Sequence, residues 1–158
     1  MRFKVFHFAL LISLGLLNWS CSIFHPEKVK KDEAGYYTDH YWSCGPRALN
    51  KAFKELDIYL SSKKISQEIQ DSGNLSRALL SLAHHDAVHV IEKHGFRVVG
   101  LKELKQLNSK IDIALILVAR NYLDGEAHWL CFPVDNDIKG FFGKETKIVK
   151  IFLLKLID

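Results

Sequence analysis

The hydrophobic period of this chain changes at Gly95, and that change limits the fold more than any other feature. Before it, apolar residues recur at helical spacing. Ala48, Leu49, Ala52, Phe53 and Leu56 make one stripe, and "SSKKISQEIQDSG" and "NLSRALLSLAHHDAVHVIEKHG" continue the pattern. After it come "FRVVG", "KIDIALILVA", "HWLCFPV", then, past the turn "DND", "IKGFF", and last "TKIVKIFLLKL", apolar and β-branched runs of strand length, with a helical turn in "LKELKQLN". Helices first and strands second predict the α+β class, with N-terminal helices packed on a mainly antiparallel sheet. Pro46 suits a first helical turn and Gly95 a left-handed helix stop. The 158 residues, 48% of them hydrophobic, are enough for one core and one folded domain.

Cys44 stands directly before Gly45 and Pro46 in "YWSCGPRALNKAF", where the first helix opens. A free cysteine is most often buried as a small apolar residue. At a helix start, however, a thiolate is stabilised by the first-turn N–H groups. Thiol catalysis also needs a base, normally histidine. Among eight histidines, His128 opens a predicted strand just after a loop containing Gly125, a rigid mount from which a base can face a helix start. Cys131, three residues further on, alternates to the other face of that strand. A Cys44–Cys131 disulfide, the ordinary expectation for two cysteines in an exported protein, and a Cys44–His128 pair therefore nearly exclude each other. The pair is the preferred reading, with Cys131 in the core.

A third member of the site depends on register. If "DND" closes a hairpin with Asn136 and Asp137 as its two-residue loop, His128 falls opposite Glu145, which would orient the imidazole. A slip of one residue brings Lys144 there instead. Asp135 and Asp137 read as turn residues. His85 and His89, one helical turn apart, read as polar-face side chains, because no third metal ligand is evident. The aromatics of "YYTDHYW" fit either a substrate groove or a lid over the helix.

Cys-Gly-Pro entering an apolar helix, about eighty residues before "HWLCF", resembles papain-like cysteine peptidases of the bacteriocin-leader-processing type and their stand-alone relatives, over residues 36–156. The resemblance implies a papain-like fold, with Cys44 as nucleophile and His128 as general base and acid. It implies a peptide or protein substrate and calls for no cofactor or metal. The family's glutamine six residues before the cysteine, an oxyanion donor, is Thr38 here, and His40 or Tyr41 are the substitutes nearest to hand. The family's transporter-fused members carry membrane spans and a nucleotide motif that this chain lacks, so their substrate is not inherited. Two rivals stand beside hydrolysis: a non-catalytic envelope binding protein that retains the fold, and amide or acyl transfer by the same pair.

The N-terminus predicts export. "MRFK" followed by "VFHFALLISLGLL" has the order of a signal peptide, 1–21, and the apolar run is shorter than the roughly 20 residues of a membrane span. Cys21 follows it as the acylated cysteine of a bacterial lipoprotein would. Ser20 fits that pattern, and Asn18 and Trp19 depart from it. Ordinary cleavage after Ser22 is the alternative. Residues 22–35 read as a solvated linker and 36–158 as the domain. Losing residues 1–20 removes Arg2 and Lys4, taking the net charge from +4 to +2. With its lysines spread along the chain, such a protein has no call for nucleic acid. The expected setting is the cell envelope, periplasm or exterior, with a membrane partner only through a lipid on Cys21.

Overall fold

Helix α1 (Cys44–Glu55) forms over the stripe read from the sequence and buries Ala48, Leu49, Ala52 and Phe53. A computed structural model of the chain describes residues 30–72, 84–121, 126–135, 137–138 and 143–157. Helix α2 (Ser62–Asp71) starts where the Ser61 hydroxyl accepts the Lys64 N–H at 3.2 Å, one of the orphan donors of a helix start. It buries Ile65 and Ile69. Helix α3 (His84–Lys93) buries Ala87, Val90 and Ile91, and the chain leaves it through Gly95 at φ +85°, which only glycine adopts without strain. The expected earlier part of this helix, 74–83, lies outside the described residues. So do the signal peptide and Cys21.

Strands β1 (Phe96–Leu101), β2 (Ala114–Asn121), β3 (Glu126–Phe132) and β4 (Lys147–Leu156) form one antiparallel sheet in the order β1-β4-β2-β3. The fold is α+β, as its periodicity predicts. The helices cover one face, where Leu49, Phe53, Ile65, Ile91, Leu117, Trp129 and Phe152 share a core. A smaller core on the other face joins Ile116, Val118, Leu130 and Ile151 to Leu101, Leu104 and Leu107. β4 is central and covered on both sides, which is why Ile151, Phe152, Leu153 and Leu154 are consecutively buried.

The expected hairpin after β3 is corrected by this order. β3 pairs with β2, placing His128 opposite Val118, and β4 lies along the other side of β2. Glu145 is therefore not opposite His128. It sits in an exposed 3-10 turn, Gly143–Glu145, with its carboxylate 3.6 Å from the Arg120 guanidinium. The second arm expected of that hairpin, "IKGFF", lies outside the described residues but for Ile138, and the next strand, β4, is separated from β3 by β2.

Residues 31–35, expected as linker, are held to the domain. Asp32 accepts the Ala34 and Tyr36 N–H groups at 3.0 Å and also the Tyr41 hydroxyl, and Lys31 bridges to Tyr37. The 3-10 helix Thr38–Trp42 then leads into α1. Its aromatics divide: Tyr41 is buried as a lid residue, whereas Trp42 is 72% exposed.

Candidate active site

Cys44 is the first residue of α1 and is half-buried, and its thiol is free. The N–H groups of a first helical turn have no carbonyl partner within the helix, so they can bind an anion beside that sulfur. Arg47, Ala48 and Lys51 follow at spacings of three, four and seven, which puts them on the same side of the helix as Cys44.

That side faces the outer edge of β3, and α1 packs on this strand. The Cys131 N–H and carbonyl point away from β2 and are taken up by Asp135: the N–H donates to Asp135 Oδ2 at 2.8 Å, and the Asp135 N–H donates to the carbonyl at 2.7 Å. Asp135 thus caps a strand edge that would otherwise be open to pairing. Its other oxygen accepts a hydrogen bond from the Lys51 ammonium, tying the turn after β3 to α1. A cleft of about 270 Å³ lies here, lined by Cys44, Arg47, Ala48, Lys51, His128, Trp129 and Asp135.

The structure therefore brings Cys44 and His128 to one cleft. Burial holds the His128 imidazole below its ordinary pKa, and the Arg47 and Lys51 charges act in the same direction, while the Asp135 carboxylate opposes them. At neutral pH the ring is unprotonated and able to take a proton. Asp135, read from sequence as a turn residue, lines the cleft and acts on His128 through its charge, while its two carboxylate oxygens are engaged by the Cys131 N–H and by Lys51. The signal that could have found it is the pairing of two charges, Lys51 on the Cys44 side of the helix and Asp135 at the end of the His128 strand.

Strand alternation needs a correction. Trp129 and Cys131 face the helices and belong to the core there, against which Cys44 also packs. His128 has the opposite parity and reaches the cleft because β3 is the outermost strand. Cys131 thus does not point away from the helix layer, yet both thiols are free. Burial, reinforced by Asp135, pushes the Cys131 thiol up to about 12, so it stays protonated and inert.

Neither Thr38 nor His40 is among the residues that line the cleft. His40 is 3% exposed, and its Nδ1 lies 2.7 Å from the Ser66 hydroxyl of α2. Burial lowers its pKa to about 4, against the opposing charge of Asp86, so the ring is neutral. Gln70 extends this cluster, reaching Ser66 at 3.1 Å and the Tyr37 N–H at 2.7 Å. His40 acts here as a strut that fixes the segment before Cys44. His85 and His89 are exposed, as polar-face residues should be, and His85 lies 3.2 Å from Asp86.

Fold and cleft together define an α+β domain with a thiol and a neutral imidazole at one strand edge. No family model, curated protein or solved structure matches the chain. Among the described residues no helix is long and apolar enough to cross a membrane.

Proposed function

We propose that this protein is a thiol-dependent acyl hydrolase of papain-like type acting on peptides, with Cys44 as nucleophile and His128 as base. The observation that carries this is the shared cleft of Cys44, at a helix start, and His128, held neutral, with Asp135 beside them. The Cys44 sulfur attacks a carbonyl carbon while His128 takes the thiol proton. The first-turn N–H groups of α1 receive the charge that develops on oxygen. His128 then gives its proton to the leaving amine and the C–N bond breaks, leaving a thioester. Water, deprotonated by His128, hydrolyses the thioester and restores the thiol. An amine in place of water gives acyl transfer instead. Asp135, held by Lys51 and the Cys131 N–H, favours the protonated imidazole by its charge rather than by a hydrogen bond to the ring. A deprotonated His128 as base predicts activity that rises with pH through a value below about 6.5 and is level by neutrality.

Export through the 1–21 segment, with Cys21 as lipid anchor, belongs to the same proposal. It places the substrate in the cell envelope or outside.

The test is a peptide-library hydrolysis assay with Cys44→Ala and Cys44→Ser. Both substitutions should reduce turnover to background without altering the thermal unfolding midpoint by more than a few degrees. A second reading, a binding domain without turnover, is favoured by the absence of Thr38 and His40 from the cleft lining. It prevails if a folded wild-type protein cleaves nothing.

A further inference from the structure

The charges lining the cleft are unequal. Asp135 is engaged by Lys51, so those two charges cancel. Arg47 is exposed, and among the described residues no carboxylate pairs with it. With His128 neutral, the cleft keeps one positive charge from side chains, and the α1 N-terminus adds its own partial positive charge. Arg47 is three residues after Cys44 on α1. On a helix this makes the two side chains neighbours, about 5–6 Å apart at Cβ. A guanidinium offers a planar pair of donors that matches a carboxylate, and it stays charged at any pH at which the protein folds. A surface arginine with no role normally lies along the protein or pairs with an acid. This one stands on the wall of the cleft that holds the thiol.

We propose that Arg47 selects acyl substrates that carry a carboxylate next to the bond attacked by Cys44. This rests on the acyl-hydrolase reading and narrows its substrate class to acidic peptides. The carboxylate is either an Asp or Glu side chain or the free C-terminus of the peptide, since both present the same two oxygens. Arg47 binds it and sets the carbonyl over the sulfur. Lys51 does not serve this purpose, because its ammonium holds Asp135 in place.

Two alkylating agents of nearly equal size test the inference without requiring turnover. Iodoacetate carries a carboxylate and iodoacetamide is its neutral counterpart. With either, the Cys44 sulfur displaces iodide from the CH2 carbon, forming a thioether and releasing the thiol proton. The rate ratio of iodoacetate to iodoacetamide at Cys44, read by mass spectrometry of the peptide, isolates anion recognition from general thiol reactivity. Arg47→Gln should lower that ratio by roughly three- to tenfold, the range between an exposed ion pair and a charge-assisted hydrogen bond. Arg47→Lys should restore part of it. The same ratio in wild type and Arg47→Gln overturns the inference while leaving the acyl-hydrolase reading intact. Failure of both reagents to modify Cys44 overturns that reading and this inference together. Where turnover is measured, peptides differing by Glu against Gln, or by a free against an amidated C-terminus, distinguish the two sources of carboxylate. Equal kcat/KM across both pairs also overturns the inference.

Discussion

The residues just before α1 and those along its cleft-facing side build two polar clusters of opposite kind. In the first, His40, Ser66 and Gln70 are buried, uncharged and joined by hydrogen bonds of 2.7 Å and 3.1 Å. In the second, Cys44, Arg47, Lys51, His128 and Asp135 surround an accessible cleft and carry net positive charge. Each holds a histidine whose pKa burial has lowered against an opposing carboxylate, Asp86 for His40 and Asp135 for His128, but only His128 opens on a cleft. On the proposed reading, the difference separates a structural histidine from a reactive one. A sealed imidazole fixes the chain it belongs to, and an accessible one can exchange protons with a substrate. The sealed cluster holds the Thr38–Trp42 segment on α2, so it supports the open one by fixing the chain that enters Cys44.

Apart from loss of the Cys44 thiol itself, the largest expected effect is at Asp135. Asp135→Asn removes the charge that favours protonated His128 and leaves the Lys51 ammonium without its partner. On the proposed reading hydrolysis should fall by roughly tenfold or more, through the lost charge on the cleft and the released Lys51. Glu145→Gln in the same assay should change the rate by less than about twofold, the span of ~0.5 kcal/mol expected of a surface site. The reverse order would return the orienting role to Glu145.

A smaller effect, in stability, should appear at His40. Its folded pKa of about 4 lies below the unfolded value of about 6.5. Between those values the unfolded chain binds more protons, so the stability conferred by the neutral ring is complete above pH 6.5. It is lost as pH falls towards 4. The loss is on the order of 3 kcal/mol. His128 adds a loss of the same sign, whereas Asp32 and Asp112, whose pKa values are lowered, contribute only below about pH 4. Urea unfolding at pH 7 and pH 4.5 measures the slope. His40→Gln, which keeps a partner for Ser66, should flatten it. An unchanged slope would mean that His40 is not sealed.

These comparisons also show what the sequence makes legible. Helix α1, the Gly95 stop and the four strands were legible, because periodicity and turn chemistry act over a few residues, whereas the further strand expected at "IKGFF" lies outside the described residues but for Ile138. That Cys44 and His128 approach one another was legible too, Cys44 as the first residue of α1 and His128 near the start of β3, which opens two residues earlier than expected, at Glu126. Which carboxylate shares the cleft with His128 was not. Whether Glu145 or Asp135 lines that cleft depends on β4 entering between β1 and β2, a long-range pairing that a hairpin rule cannot anticipate. His40 was missed as a strut for a similar reason. Its burial depends on α2, some 26 residues further along the chain.

The central claim is that His128 serves the Cys44 thiol, and the most direct measurement is the iodoacetamide labelling rate of each cysteine in wild type and His128→Ala, with Cys131 as internal control. Cys44 should label readily in the native protein and Cys131 only after unfolding, as its burial and its pKa of about 12 require. His128→Ala should slow Cys44 by roughly tenfold or more, the lower end of what a positioned base contributes. An unchanged Cys44 rate in His128→Ala, or a native Cys44–Cys131 disulfide, would contradict the account.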